Sequence, residues 1–222
     1  MRPVGRRTVA LVGLTGTIAL QLCVAAAGFS DTIKAEVELS TKEVSSKECL
    51  LGDAIADAIK ASAKTDASFI AAESFNEVTI QKGNTSTSEI LKALESRSDN
   101  VVIVKLTGDQ ITRGLEHSIY LYPKSNTGFL QFSGLVVTFN PSAAADKRVV
   151  SIKINGEALD NSKIYRVAMP SPLAKGGLSY FKFWKSSDIE KDTDKSVEAA
   201  VTSYLSEHKT LAKGEDRLVS KK

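Results

Sequence analysis

Apolar residues recur along this chain with two spacings, and the spacing changes at definite places. Ile33, Ala35, Val37 and Leu39 alternate with Lys34, Glu36 and Glu38, which predicts a half-buried strand over 33–39. Beyond Cys49 the period lengthens. Leu51, Ile55 and Ile59 fall at i, i+4 and i+8, with Leu50, Ala54 and Ala58 beside them, so 49–63 reads as an amphipathic helix with a broad apolar face. The apolar run 67–72 predicts a short buried strand, and 76–80 one that continues or pairs with it. Lys82-Gly83-Asn84 reads as a turn. Ser86 or Thr87 then caps a short helix running to Leu94, Ser86 and Glu89 having the spacing of a capping box. A β-branched strand is expected over 101–106. Thr107 is placed to cap a helix from Gly108 to about Leu121, with Ile111, Leu115 and Ile119 on one face and Pro123 ending it.

The remainder reads mostly as β. Strands are expected over 129–132, 135–139, 149–154 and 165–169, with turns at Asn140-Pro141 and Asn155-Gly156. Pro172 to Gly176 suits a short helical turn, and 197–205 a last helix presenting Val197, Val201, Tyr204 and Leu205 on one side. The stretch from Ala212 to Lys222 is polar and charged, and is expected to fray. Mixed helices and strands, alternating in the early part, predict an α/β or α+β domain with helices packed on sheet.

The N-terminus carries a different pattern. Arg2, Arg6 and Arg7 precede an uncharged apolar run from Val9 to Ala27 that ends in three alanines. This is the layout of an export signal with cleavage after Ala27, against the alternative of a retained anchor. Arg6-Arg7 also permits a twin-arginine signal. A lipoprotein site at Cys23 is rejected, because Leu22 is bulky where a small residue belongs. The expected parts are therefore a signal peptide at 1–27, a domain at 28–211 and a polar tail at 212–222, with the mature chain exported to a periplasm, cell envelope or medium.

Removing the leader changes the charge. The chain carries +3, and the leader holds three arginines and no acid, so the mature part is neutral. No nucleic acid, and no membrane after cleavage, is called for as a partner. Cys49 becomes the only cysteine, which excludes an internal disulfide and reads as a small buried hydrophobe.

Several segments also carry a resemblance. Glu48-Cys49-Leu50-Leu51-Gly52-Asp53 with Asp57-Ala58, then Val101 through Ile111, then Leu115-Glu116-His117-Ser118 and Gly128-Phe129-Leu130-Gln131-Phe132-Ser133-Gly134-Leu135 stand in one order. Arg148-Val149-Val150, Lys163-x-Tyr165-x-Val167-Ala168 and Leu173-Ala174-x-Gly176-Gly177 follow. In that order, over about 45–185, they resemble the C-terminal, substrate-binding domain of the 5′-nucleotidase family. The resemblance implies a four-layer α/β/β/α sandwich that binds the nucleoside part of a substrate. A separate metallophosphoesterase domain holds two metal ions in that family and hydrolyses the phosphate ester.

Two-metal hydrolysis needs a cage rich in histidine and carboxylate. The family builds it from Asp-x-His and Gly-Asn-His motifs, which this sequence lacks; His117 and His208 are its histidines, and a structural role is expected for each. No metal, no cofactor and no catalytic residue are expected. The family's nucleoside clamp uses two rings with Asn and Arg. Gly176-Gly177-Leu178-Ser179-Tyr180 keeps a glycine pair and supplies Tyr180, either as a clamp ring or as an edge aromatic packed on Phe181 and Phe183. The second ring motif is replaced by Leu94 to Asn100, which offers Arg97. The Asn-x-Gly-Gly-x-Arg motif is replaced by Ala71 to Asn76, with Glu73 where phosphate recognition wants a cation. Tyr180, Asn76 and Arg97 are thus the candidate ligand residues. The expectation is a non-catalytic binding module for a nucleoside-like small molecule. The alternatives are a subunit completed in trans by a metallophosphoesterase, or a structural cell-envelope protein.

Overall fold

A strand flanked on both sides by other strands buries both of its faces, so each face of the sheet needs a cover of its own. Residues 32–221, with Met1, are described by the computed structural model; the leader expected over 1–27 otherwise lies outside the described residues. In chain order the elements begin with β1 (Thr32–Ala35), β2 (Leu39–Ser40), α1 (Leu50–Ala63), β3 (Ala67–Ala71), β4 (Thr79–Ile80), β5 (Gly83–Ser86) and α2 (Thr87–Leu91). Then come β6 (Asn100–Thr107), α3 (Gly108–Ser118), β7 (Leu130–Ser133), β8 (Leu135–Phe139), β9 (Val149–Ile154) and β10 (Glu157–Ala158). The last are β11 (Ile164–Pro170), α4 (Ser171–Ala174), β12 (Ile189–Ser196), α5 (Val197–Glu207), β13 (Thr210–Leu211) and β14 (Leu218–Ser220).

The central sheet runs β12-β6-β11-β3-β7, with β11 and β3 parallel and the other pairs antiparallel. Its residues divide strictly by the two-residue period. Val101 and Ile103 of β6 join Ile70 of β3 in a core with α1 and α5, while Val102, Val104 and Leu106 join Phe69 in a second core with α3 and β7 to β9. Leu51, Ile55 and Ile59 of α1 are wholly buried in the first core, each contributing about 1.5–3 kcal/mol of transfer free energy. Cys49 and Thr107 cap α1 and α3, the latter in a reciprocal box with Gln110.

Gly134 moves the chain from the central sheet to a second one, β10-β9-β8-β14. Its φ is +79°, and a Cβ there would lie 2.2 Å from the Asp66 carbonyl oxygen. The expected mixed α/β class is observed. Three local expectations change. The first strand stops at Ala35, and Gly83 to Ser86 is not a turn but a strand antiparallel to β1. The helix begun at Gly108 ends at Ser118, short of Leu121. The charged segment 189–196, unmarked by any apolar pattern, is an edge strand against β6.

The polar tail is also structured. Leu218–Ser220 pairs in parallel with β8, and Arg217 fixes it. The Glu48 carboxylate accepts the backbone N–H groups of Arg217 and Leu218 at 2.8 and 2.7 Å. The Arg217 guanidinium donates to Asp57 Oδ2 at 2.8 Å and to the Phe132 carbonyl at 2.8 Å. One cation thus ties the C-terminal strand to α1 and β7. Arg217→Met removes it while keeping much of its bulk. We expect the variant to lose about 2–4 kcal/mol of unfolding free energy, because carboxylates are left without their cation; urea denaturation followed by circular dichroism measures this.

Candidate functional site

The segments that replace the family's clamp motifs do come together. The Glu95 N–H donates to the Ser74 carbonyl and the Asn76 N–H to that of Ala93, both at 2.9 Å. Asn76 and Arg97 are half-buried along this seam. Each turns a side-chain donor back onto it: Asn76 Nδ2 to the Lys92 carbonyl at 3.2 Å, Arg97 Nε to that of Leu94 at 3.4 Å. Glu73 and Glu95 are exposed beside them.

Tyr180 stands apart from that seam. Its ring is fully buried, stacked on Trp184 at 4.6 Å and 15°, with the edge contact of His117 at 4.8 Å. Its hydroxyl donates to the Gly128 carbonyl at 2.7 Å, and burial holds its pKa well above the usual phenol range. In this state no face of the ring is open to a base. It is not an edge aromatic either: Phe181 is 64% exposed beside it, and Trp184 is its stacking partner. His117 Nε2 lies 3.0 Å from the Leu178 carbonyl, and His208 stacks on Tyr204 at 3.9 Å. The two histidines sit on different elements, α3 and the end of α5, and among the described residues no group of three or more His, Cys, Asp and Glu is placed to hold a metal ion. Cys49 is half-buried; burial pushes its thiol up to about 11, and its Sγ accepts the Gly52 N–H at 3.3 Å.

A second constellation was not singled out as a site by sequence reasoning. Asp53 and Asp57, one turn apart on α1, face Arg217. Asp57 is well satisfied, accepting from Ser133 Oγ at 2.6 Å as well as from Arg217. Asp53 is not. Its side chain is 13% exposed, its Oδ1 lies 3.8 Å from Arg217 Nη1, and that oxygen has no hydrogen-bond partner. Burial raises its pKa to about 8; Arg217 opposes the rise, and Glu48 and Asp57 add to it. These carboxylates border a cavity of about 500 Å³ lying between α1, β8, α5 and the segment preceding β14. The signal available in the sequence was the pair Asp53 and Asp57 at helical spacing; its partner lies some 160 residues away. A different recess of about 560 Å³ is lined by Arg113, His117, Tyr120 and Phe183. There Arg113 is already engaged with Asp109 at 3.4 Å and lies over the Phe183 ring.

Comparison with known proteins adds the following. Residues 26–185 match the family model described as 5'-nucleotidase, C-terminal domain. The 5'-nucleotidase of Rattus norvegicus is 30% identical over 117 residues, which is 49% of this chain and 20% of that protein. A 5'-nucleotidase-related protein of Glossina morsitans morsitans is 30% identical over 83% of this chain and 37% of its own length. Among solved structures, a 5'-nucleotidase precursor from Thermus thermophilus superposes with a TM-score of 0.75 at 26% identity, covering 85% of this chain and 39% of that one. The chain therefore spans between a fifth and two fifths of the length of these relatives. No helix among the described residues is long and apolar enough to cross a membrane.

Two substitutions probe these placements. Tyr180→Phe leaves the stack but orphans the buried Gly128 carbonyl, and is expected to cost about 1–2 kcal/mol of stability, read by thermal or urea unfolding. Asp53 supplies a pH signature. Its value in the folded chain, about 8, lies above the ordinary 3.8, so between these values the folded state holds a proton that the unfolded state has released. Stability from this group is complete below the lower value and is lost as pH rises toward the upper one. Asp53→Asn, neutral throughout, is expected to flatten that decline between about pH 5 and 8, gaining on the order of 1–3 kcal/mol over wild type at the alkaline end.

Proposed function

Because the chain belongs to the 5′-nucleotidase C-terminal domain family, we propose that it is an exported, non-catalytic module that binds a nucleoside-like small molecule. The observation that carries this reading is the backbone seam between 72–76 and 93–97, which holds Asn76 and Arg97 side by side where the family resemblance puts the ligand. Arg97 supplies a planar cation able to stack on a base, and Asn76 an amide for a sugar hydroxyl. Tyr180 supports the seam from within, since it fixes Gly128 while neighbouring Thr127 accepts the Glu73 N–H. The non-catalytic part rests on the sequence, in which the di-metal motifs are missing, and export rests on the leader.

A second reading is favoured by length. At least three fifths of each of these relatives lies outside the matched region. A metallophosphoesterase encoded separately would complete the enzyme in trans, with this domain as its substrate-binding subunit.

Calorimetric titration of the mature chain with adenosine and AMP tests the first reading. A saturable isotherm is expected, weakened about five- to tenfold in Arg97→Ala, a loss of about 1–1.4 kcal/mol. Silence with both compounds refutes it. Phosphate release from AMP with Mn²⁺ is expected to be nil for the isolated chain. Release that appears only on adding a co-purified metallophosphoesterase selects the second reading.

A further inference from the structure

The segment 212–216 crosses the surface as a strap. It is exposed throughout, and a Cβ on Gly214 would touch nothing within 4 Å. It is anchored at one end by β13, parallel to β1, and at the other by Arg217. Hollows lie on both of its sides, of about 500 and 340 Å³, and Leu50, Asp53 and Gly214 to Asp216 border both. Asp53 therefore stands at the junction of the two.

The chemistry of the larger hollow follows from which groups are already paired. Glu48 is used by two backbone N–H groups. Asp57 is used by Ser133 and Arg217, and the remaining Arg217 nitrogen by the Phe132 carbonyl. At the mouth the exposed Lys153 of β9 is balanced by the exposed Glu215 of the strap. What is left over in the interior is the Asp53 carboxyl, whose Oδ1 has no donor. A buried acceptor without a donor costs free energy until one arrives, and a second cation is what Asp53 lacks, since its only neighbour of that sign is shared with Asp57. The wall opposite is aromatic: Tyr204, half-buried, stacks on exposed His208 with rings 9° from parallel. An aromatic wall beside an unpaired carboxylate is a receptor for a cationic head on a short carbon frame.

We propose that the cavity beneath the C-terminal strap binds a small organic cation of the alkylamine class, its ammonium group pairing with Asp53 and its carbon frame lying along Tyr204 and Leu50. This site is separate from the seam at Asn76 and Arg97, and does not depend on it. The ammonium donates to Asp53 Oδ1, and the strap, held by Arg217, bridges the site from above. An anion is repelled by Glu48, Asp53 and Asp57 together, and a neutral alcohol cannot supply the missing charge.

The test uses the mature full chain and three probes of equal length: 1,4-diaminobutane, 1,4-butanediol and succinate. Titration followed by amide chemical shifts is expected to show saturable binding of the diamine at millimolar concentration or below, with shifts at Asp53, Ser133, Tyr204 and Arg217. The diol and succinate are expected to bind at least about tenfold more weakly. Asp53→Asn is expected to weaken the diamine about tenfold or more, and Tyr204→Leu about threefold. Should Asp53→Asn fail to fold, Tyr204→Leu and the shift map decide. The proposal is overturned by no binding at about 10 mM diamine, by equal binding of diol or succinate, by shifts that map elsewhere, or by an Asp53→Asn protein that binds as wild type.

Discussion

The central sheet must be covered on both faces, and most of the architecture follows from how that is done. β3 and β11 lie inside the sheet, and their residues are buried whichever way they point. One face is closed by α1 and α5, helices distant in sequence but packed together. The other is closed by α3 and by a second sheet that the chain reaches by turning at Gly134. That second sheet is completed by β14 beside β8, and β14 is held because Arg217 reaches back to Asp57 on α1. The cation thus links the cover of one face to the cover of the other. A polar residue near the C-terminus becomes structural, and the three carboxylates gathered around it become an electrostatic problem that only part of the guanidinium can answer.

What was legible in the sequence was whatever a short period of apolar residues could announce. The stripe Leu51, Ile55, Ile59 predicted α1, and the strands 101–106, 135–139 and 149–154 were found at or within one residue of their expected ends. The caps at Ser86 and Thr107 worked as their chemistry required, each hydroxyl accepting the N–H three residues on. What was illegible has a common physical cause. β12 is an edge strand of the sequence Ile189-Glu-Lys-Asp-Thr-Asp-Lys-Ser196; its side chains face water and its stability comes from pairing with β6, so no pattern marks it. β14 is equally short and polar, and is fixed by ion pairs with residues far away in the chain. Gly83 to Ser86 reads as a turn by composition, and becomes a strand because β1 supplies a partner.

The same limit governs the candidate site. The sequence could show that Tyr180 is an aromatic following a glycine pair, but not which way the ring lies. Trp184, four residues on, takes its face, Gly128 takes its hydroxyl, and His117 closes the edge. A ring held on three sides is well suited to positioning the loop around it and poorly suited to opening for a ligand. Gly114 shows how tight this packing is, since a Cβ there would sit 2.5 Å from the Trp184 ring. Asn76 and Arg97, by contrast, spend one donor each on neighbouring carbonyls and leave others toward solvent.

Retained scaffold and altered contacts place different demands on the same residues. A binding face that keeps its backbone seam but presents Glu73 and Glu95 has lost the positive field a phosphate needs, whereas a nucleoside without phosphate meets no such objection. Around Asp53 the balance is reversed: negative charge is in excess there because the fold requires it, for Glu48 and Asp57 are committed to holding the C-terminal strand. The unpaired Asp53 is therefore a by-product of the latch, a buried acceptor that the polypeptide cannot satisfy without a second cation. Whether a protein fills such a position with a proton or with a ligand depends on which is the stronger partner at the prevailing pH, and the cavity beside Tyr204 gives a ligand the room to compete.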